Sequence, residues 1–134
     1  MKIQITGASG FVGTNLLKYL AGNLEPVKVN DSHPFIVNAD VFIHLAGLAH
    51  NKKGSIPKEK YHSVNTELTK KIFDNFLESD SKVFITLSSV KAVADEVQRE
   101  LNEEHIPNPI THYGKSKLLA EQYILSKEIP EGKQ

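Results

Sequence analysis

The chain has 134 residues, with 16 Lys and Arg against 16 Asp and Glu, six His, no Cys and 40% hydrophobic residues. This length gives one domain room for a sizeable core, but two full domains do not fit. Balanced charge argues against binding nucleic acid or anionic lipid through a general cationic field. The lack of cysteine excludes disulfides and thiolate chemistry, and no stretch approaches the ~20 apolar residues of a membrane span. We therefore expect a soluble, cytoplasmic protein.

The first half of the chain alternates between strand and helix signals. Ile3–Thr6 is a short β-branched run that meets glycines, and a helical apolar stripe follows it. The stripe consists of Val12, Leu16, Leu17 and Leu20, and Gly22 is placed to end the helix. A second strand is expected near residues 27–29, and residues 30–40 are expected to form a loop with a few extended residues near 35–37.

The second half repeats the alternation. Residues 41–46 and 83–87 form near-continuous apolar runs, typical of parallel strands covered on both faces. Between them lies the longest amphipathic helix, with an apolar face of Tyr61, Val64, Leu68, Ile72 and Phe76. A long loop precedes a last helix from about Tyr113 to Ser126, whose candidate inward positions are Tyr113, Leu119, Ala120, Tyr123 and Ile124. This order predicts an α/β fold with a doubly wound parallel sheet.

A glycine-rich turn lies between the first strand and the first helix, in the run Gly7-Ala8-Ser9-Gly10-Phe11-Val12-Gly13. Gly7 permits a tight turn, Gly10 allows the backbone to approach phosphates, and Gly13 allows close packing of helix on strand. The helix N-terminus offers free N–H groups to a dinucleotide pyrophosphate. Three glycines alone would also suit a simple tight turn, but their position between strand and helix favours dinucleotide binding. The run is not a phosphate-binding P-loop, because Thr14 and Asn15 follow Gly13 directly, where a P-loop has its lysine.

An acidic residue, Asp31, follows Gly13 by 18 positions, near the end of the expected second strand. A carboxylate there accepts hydrogen bonds from the adenosine ribose and repels a 2′-phosphate, which favours NAD over NADP. The alternative is that Asp31 is a turn residue beside Ser32 and Pro34.

The last helix begins with Tyr113-Gly114-Lys115-Ser116-Lys117, which places Tyr113 and Lys117 on one face. An ammonium group nearby would stabilise a tyrosine phenolate for proton transfer. This spacing often occurs by chance. The hypothesis of proton transfer by Tyr113 is strengthened by Ser88 and Ser89, which lie at the carboxyl end of the fourth strand. Ligands bind at the carboxyl ends of strands in this architecture.

In these motifs the chain resembles the extended short-chain dehydrogenase/reductase family, specifically the NAD-dependent epimerases and dehydratases of nucleotide sugars. The resemblance also covers residues 40–47 and Asn65. It implies a Rossmann-like fold in which Tyr113 is the acid/base. By the same resemblance, Lys117 binds the nicotinamide ribose and lowers the pKa of Tyr113, and Ser89 hydrogen-bonds the reacting oxygen. Ser88 is the second choice for that last role. The implied cofactor-binding residues are Gly7, Ser9, Gly10, Phe11, Val12, Gly13, Asp31, Leu45, Ala46, Gly47, Asn65, Ser88, Tyr113 and Lys117.

Two departures from the family pattern shape the functional expectation. Only 27 residues separate Gly13 from Val41, so the second crossover is abbreviated. The family also continues into a substrate-binding half that these residues do not include. We therefore expect residues 1–134 to form one NAD-binding domain that is too short for turnover alone. The alternatives are a non-catalytic NAD-binding or regulatory module and an inactive fragment, and the resemblance implies a homodimer.

The remaining polar residues favour ordinary structural roles. His44 lies in an apolar strand and is expected to be a core or edge histidine, and no His-Glu-x-x-His spacing indicates a metal site. His50, Lys52 and Lys53 could meet a substrate phosphate, although a solvated loop is the simpler interpretation. The glutamates at 96, 100, 103 and 104 are likewise expected in a solvated loop.

Overall fold

The computed structural model describes residues 1–20, 24–26, 37–49, 56–97 and 100–134. The strands are β1 (Ile3–Thr6), β2 (Leu24–Pro26), β3 (Val41–His44) and β4 (Val83–Thr86). The helices are α1 (Phe11–Tyr19), α2 (Lys58–Tyr61), α3 (Leu68–Glu78) and α4 (His112–Leu125). A π-helical segment, His62–Glu67, joins α2 to α3, and a 3₁₀ turn, Val90–Ala92, follows β4.

The described strands form one sheet in the order β2-β1-β3-β4, and every neighbouring pair is parallel. The central pairing aligns Ile3 with Val41 and Thr6 with His44, so β1 and β3 end at the same level. Two compact units make up the chain. The first contains residues 1–47, 71–87 and 128–134, including the whole sheet, and the second contains residues 48–70 and 88–127.

The two faces of the sheet are covered by different helices, as the period-two alternation of a strand requires. On one face, Ile3, Ile5 and Ile43 form a buried cluster against which Leu16 and Leu17 of α1 pack. On the other face, Phe42 stacks on Phe84 with ring centroids 6.0 Å apart. Phe73 and Phe76 of α3 contact Phe84 there, at 5.1 and 5.3 Å. Helices on both faces of a parallel sheet confirm the predicted doubly wound α/β fold.

Several predictions about local structure need correction. The described strand of this region is Leu24–Pro26; the strand predicted at 27–29 and the predicted helix end at Gly22 lie outside the described residues and stay predictions. Val12 is exposed rather than inward, because Gly13 is the buried residue of α1. In α4 the buried positions are Gly114, Ser116 and Ala120, whereas Leu119 is exposed.

The fourth strand also departs from the expectation of burial on both faces. Ile85 keeps 43% of its surface exposed, and none of the four residues of β4 is fully buried. In the described sheet β4 is the terminal strand, so its side chains have a strand neighbour on one side, in β3. Gln134 hydrogen-bonds along its other side, donating its N–H to the Lys82 carbonyl and accepting from the Phe84 N–H.

Lys133 holds this terminal segment to the end of α3. Its ammonium donates to the backbone carbonyls of Phe76, Ser79 and Ser81, and it lies 4.6 Å from the centre of the Phe76 ring. Burial and the neighbouring Lys82 lower the pKa of Lys133, while Asp80 opposes that shift. The ammonium thus adds a charged donor to carbonyl groups in the last turn of α3 and just beyond it. Among the described helices, none combines the length and apolar character that a membrane crossing requires.

Replacing this ammonium tests its contribution to stability. Lys133→Met keeps much of the side-chain length but removes three hydrogen bonds to carbonyls, so we expect the free energy of unfolding to fall by about 1–3 kcal/mol. Lys82→Met is the matched control, since Lys82 is exposed; its effect should stay within about 0.5 kcal/mol. Urea unfolding followed by circular dichroism measures both, and equal stability of the two variants would contradict this role.

Candidate functional site

The glycine-rich turn of the first unit is shaped by close backbone contacts. Gly7 has φ of +70°, a conformation that side chains disfavour. A Cβ built on Gly7 would lie 2.5 Å from the backbone nitrogen of Ala46 and 2.5 Å from the carbonyl carbon of Leu45. Only glycine therefore fits where the turn passes the end of β3.

The other two glycines differ in how much space surrounds them. Gly13 is buried, and a Cβ there would overlap the Gly7 carbonyl and the backbone of Ala8. A Cβ on Gly10 would meet one atom, the Gly7 oxygen, at 3.3 Å. Gly10 donates its N–H to that oxygen at 3.0 Å and is the N-cap of α1. Gly13 is thus needed for the fold, whereas Gly10 leaves an accessible backbone surface.

The N-terminus of α1 lacks the usual capping group. No side chain in the described residues caps it, and its first turn contains no acidic residue. Ser9, Gly10, Phe11 and Val12 are exposed there. The first N–H groups of a helix have no intrahelical acceptor, so this end presents donors and a partial positive charge. It has the electrostatic character of an anion-binding site.

The residues after β3 lie beside the glycine turn; that they line a cofactor site stays a prediction. Leu45 donates its N–H to the Thr6 carbonyl at 3.2 Å, and Leu45 and Ala46 are half-buried while Gly47 is exposed. The structure thus brings Leu45 and Ala46 together with Gly7. Asp31 lies outside the described residues.

In the second unit, α4 carries Tyr113 and Lys117 one helical turn apart. The Tyr113 ring packs edge-on against the buried ring of Tyr61, with centroids 6.1 Å apart. Burial lowers the pKa of Lys117, and the carboxylate of Glu121 opposes that shift. Their spacing of four residues places both side chains on the same face of α4.

A buried amide and hydroxyl pair from the π-helical segment holds α4. Asn65 donates to the Ser116 hydroxyl and to the Leu48 carbonyl, both at 3.1 Å, and accepts from the Leu48 N–H at 2.7 Å. Thr66 donates to the Ser116 carbonyl at 2.9 Å. A π-helical turn places these consecutive residues on the buried side together, a feature frequent at functional sites. The prediction that Asn65 lies near the cofactor stays a prediction, since its amide bonds to protein groups.

A carboxylate, Asp95, fixes the start of α4. Its oxygens accept from the N–H of Ile110 at 2.6 Å, from the N–H of Thr111 at 2.8 Å and from the Thr111 hydroxyl at 2.7 Å. Thr111 in turn caps the helix by accepting from the Gly114 N–H. Burial would raise the pKa of Asp95, but the hydrogen bonds from Thr111, Ile110 and Lys91 outweigh it and lower the pKa to about 2. Sequence reasoning missed this residue, which it placed within an undifferentiated loop.

Ser89 lies at the start of the 3₁₀ turn that packs on α4. Its hydroxyl oxygen accepts from the Lys91 N–H at 3.2 Å. A Cβ on Gly114 would overlap the Lys91 carbonyl, so the turn and the first turn of α4 are in close contact. The structure thereby brings the segment of Ser89 next to the helix that carries Tyr113. Ser88 precedes it and is exposed.

The remaining polar predictions have these outcomes. His44 is buried, as predicted for a core histidine, while His50, Lys52 and Lys53 lie outside the described residues. Glu96, Glu100, Glu103 and Glu104 are exposed loop residues, also as predicted. In the ranges that the structure describes, no group of three His, Asp or Glu side chains is arranged to hold a metal ion.

The parallel sheet, the glycine turn and the uncapped α1 define a dinucleotide-binding Rossmann-like fold. The model of the NAD dependent epimerase/dehydratase family matches residues 27–128, and the chain belongs to that family. The predicted family is thereby confirmed, and its description names NAD as the cofactor on which the family depends.

A curated relative is similar in sequence, and solved structures are similar in fold. UDP-glucose 4-epimerase of Vibrio cholerae is 31% identical, over 92% of this chain and 46% of its own length. The structure of MoeE5 in complex with UDP-glucose and NAD matches with a TM-score of 0.83 at 21% identity, covering 94% of this chain and 48% of that one. RMD from Pseudomonas aeruginosa complexed with NADPH matches with a TM-score of 0.70 at 25% identity, over 91% of this chain and 48% of that one. The chain spans about half the length of the curated relatives it matches.

The Asp95 anchor makes a pH-dependent prediction. Asp95→Asn removes a negative charge that accepts hydrogen bonds from the N–H groups of Ile110 and Thr111, the Thr111 hydroxyl and the Lys91 ammonium. We therefore expect the free energy of unfolding to fall by about 1–3 kcal/mol at neutral pH. Because the folded pKa lies below the unfolded value, the wild-type advantage is complete above about pH 4. It is lost as the pH falls toward 2.

Urea titrations at about pH 7, 4 and 3 measure this difference. Glu96→Gln is the matched control, since Glu96 is an exposed carboxylate one residue away, and its effect should be small at each pH. A stability difference between wild type and Asp95→Asn that is the same at all three pH values would contradict the anchor.

Proposed function

We propose that this chain is the NAD-binding part of an enzyme that epimerises, dehydrates or reduces nucleotide sugars. Residues 1–134 are assigned to this cofactor-binding function, with Tyr113 as the acid/base. The family membership supports the reaction class. The observation that carries the proposal is the glycine turn, whose exposed Gly10 backbone and uncapped α1 N-terminus suit a pyrophosphate.

Binding of NAD would use groups from the turn and from the ends of the strands. The N–H groups of the first turn of α1, from Phe11 to Gly13, would donate to the pyrophosphate. Leu45, Ala46 and Gly47 would line the adenosine and pyrophosphate side. Asp31 would accept hydrogen bonds from the adenosine ribose, and its charge would disfavour the 2′-phosphate of NADP.

The chemical step would oxidise a sugar alcohol to a ketone. Bound NAD would supply the acceptor for the hydride that leaves the sugar carbon. Tyr113 takes the hydroxyl proton as the carbon–oxygen double bond forms, and Ser89 hydrogen-bonds that oxygen. The ammonium of Lys117 stabilises the tyrosine phenolate and binds the nicotinamide ribose. Reversal of these transfers returns the proton from Tyr113 to the oxygen.

A single added methyl group tests the pyrophosphate site. Gly10→Ala adds a Cβ that meets one atom of the free protein at 3.3 Å, so the variant should fold. The same Cβ would stand where the backbone approaches the pyrophosphate. We expect NAD affinity, measured by isothermal titration calorimetry, to fall at least about 10-fold.

Gly132→Ala is the control for this experiment. Unlike Gly10, Gly132 has a positive φ, and nothing lies within 4 Å of a Cβ added there. Gly132→Ala is therefore expected to lose some stability and to keep the wild-type affinity for NAD. Wild-type protein that shows no binding heat at millimolar NAD, or Gly10→Ala protein that binds as tightly as wild type, would refute the proposed site.

The catalytic role of Tyr113 has a separate test. Tyr113→Phe removes the proton-transfer group, so any slow NADH formation that the wild-type chain shows with UDP-sugars should fall by about 100-fold or more while NAD affinity remains. Tyr123→Phe is the control on the same helix, where Lys70 and Lys127 lie over the Tyr123 ring. If wild-type protein binds NAD but Tyr113→Phe changes no rate, the chain is a non-catalytic NAD-binding module.

A further inference from the structure

A buried polar pair lies at the carboxyl ends of the two central strands. Thr6 is the last residue of β1 and directly precedes Gly7, and His44 is the last residue of β3. They are register partners, and the Thr6 hydroxyl lies 2.7 Å from Nδ1 of His44. Thr6 is fully buried and His44 keeps 2% of its exposure. Neither side chain is used in the chemistry proposed above.

The Thr6 hydroxyl also binds the segment that closes against the glycine turn. Its oxygen accepts from the Ala46 N–H at 3.2 Å. That nitrogen is the atom 2.5 Å from a Cβ built on Gly7. The Thr6 side chain therefore ties the segment after β3 to the turn at the point of closest approach.

The hydrogen-bond pattern gives His44 a directional role. The Ala46 N–H occupies one lone pair of the Thr6 oxygen, and the hydroxyl proton can then be donated to Nδ1 of a neutral His44 ring. This second bond sets the rotation of the hydroxyl and keeps its lone pair aimed at Ala46. His44 thus acts on the turn through Thr6.

Burial of this pair needs a reason beyond space filling. The Phe84 ring lies 6.4 Å from the His44 ring, so an apolar pair of similar volume would suit these surroundings without desolvating polar atoms. The pair lies where strands of a doubly wound sheet end, which is where such folds bind ligands.

We propose that His44 is a positioning residue for cofactor binding: through the Thr6 hydroxyl it holds Leu45 and Ala46 against Gly7 and keeps the glycine turn in its pyrophosphate-binding shape. The inference rests on the proposed function, since it assumes that this turn binds NAD. It assigns to the core histidine an effect on affinity as well as on stability.

Replacement of the ring nitrogen tests the inference. His44→Phe keeps the ring volume and removes the acceptor, and we expect NAD to bind about 5- to 30-fold more weakly. His44→Asn restores an acceptor near the position of Nδ1 and should recover most of the affinity. Thr6→Val should match His44→Phe, and the double variant should be no weaker than either single variant, because all three break one chain of bonds.

Thr86→Val provides the matched control. Thr86 of β4 is the register partner of His44, and its hydroxyl donates to the His44 backbone carbonyl at 3.3 Å. That hydroxyl makes no hydrogen bond to the Thr6 side chain. Its NAD affinity should equal that of wild type. Calorimetric titrations well below each melting temperature keep changes in folding apart from changes in affinity.

The outcomes distinguish this inference from the proposed function. Absence of NAD binding by wild type would refute the function and the inference together. Wild-type binding with equal affinity in His44→Phe, whatever its melting temperature, would overturn the inference alone. If His44→Phe does not fold, the other two variants decide. Weaker NAD binding by Thr6→Val together with near-normal binding by His44→Asn supports the inference. A Thr6→Val variant that binds NAD as tightly as wild type overturns it.

Discussion

The backbone of Gly7 and the segment after β3 come so close that no side chain fits between them. This contact joins the ends of the two central strands to the start of α1, because Gly13 of α1 also packs directly on Gly7. The parallel β1–β3 register brings the two segments to the same level, and the Thr6 hydroxyl accepts a hydrogen bond from the Ala46 N–H there. The N-terminus of α1 stays uncapped because its N-cap residue, Gly10, has no side chain.

A different principle holds the helix of Tyr113 in the second unit. Polar groups anchor α4, with Asp95 and Thr111 at its first turn and Asn65 and Thr66 at Ser116. Ser116 lies between Tyr113 and Lys117, so these anchors hold the backbone from which both candidate catalytic side chains extend. Hydrogen bonds of defined direction specify helix position more sharply than apolar packing does, which suits a site where proton transfer needs fixed distances.

Local patterns predicted much of this fold and site. The alternation of apolar runs predicted the parallel sheet, and glycine spacing predicted the turn, because both depend on residues close in sequence. Asp95 was missed because its partners, Ile110 and Thr111, lie 15 and 16 residues away. The π-helical turn at Asn65 carries no residue signature, and Val12 matched the helical stripe although close packing placed Gly13 inward. Long-range hydrogen bonds and close backbone approaches are therefore what the sequence patterns did not reveal.

The central claim is that NAD binds through the N-terminus of α1, and backbone amide spectra during an NAD titration test it most directly. The account predicts that the amide resonances of residues 9–13 and 45–47 shift together and saturate with one dissociation constant. Backbone amides around Lys133, whose side chain binds carbonyl groups at the end of α3, should change little. Resonances at 9–13 that stay unchanged at millimolar NAD, or shifts confined to other parts of the chain, would contradict the account.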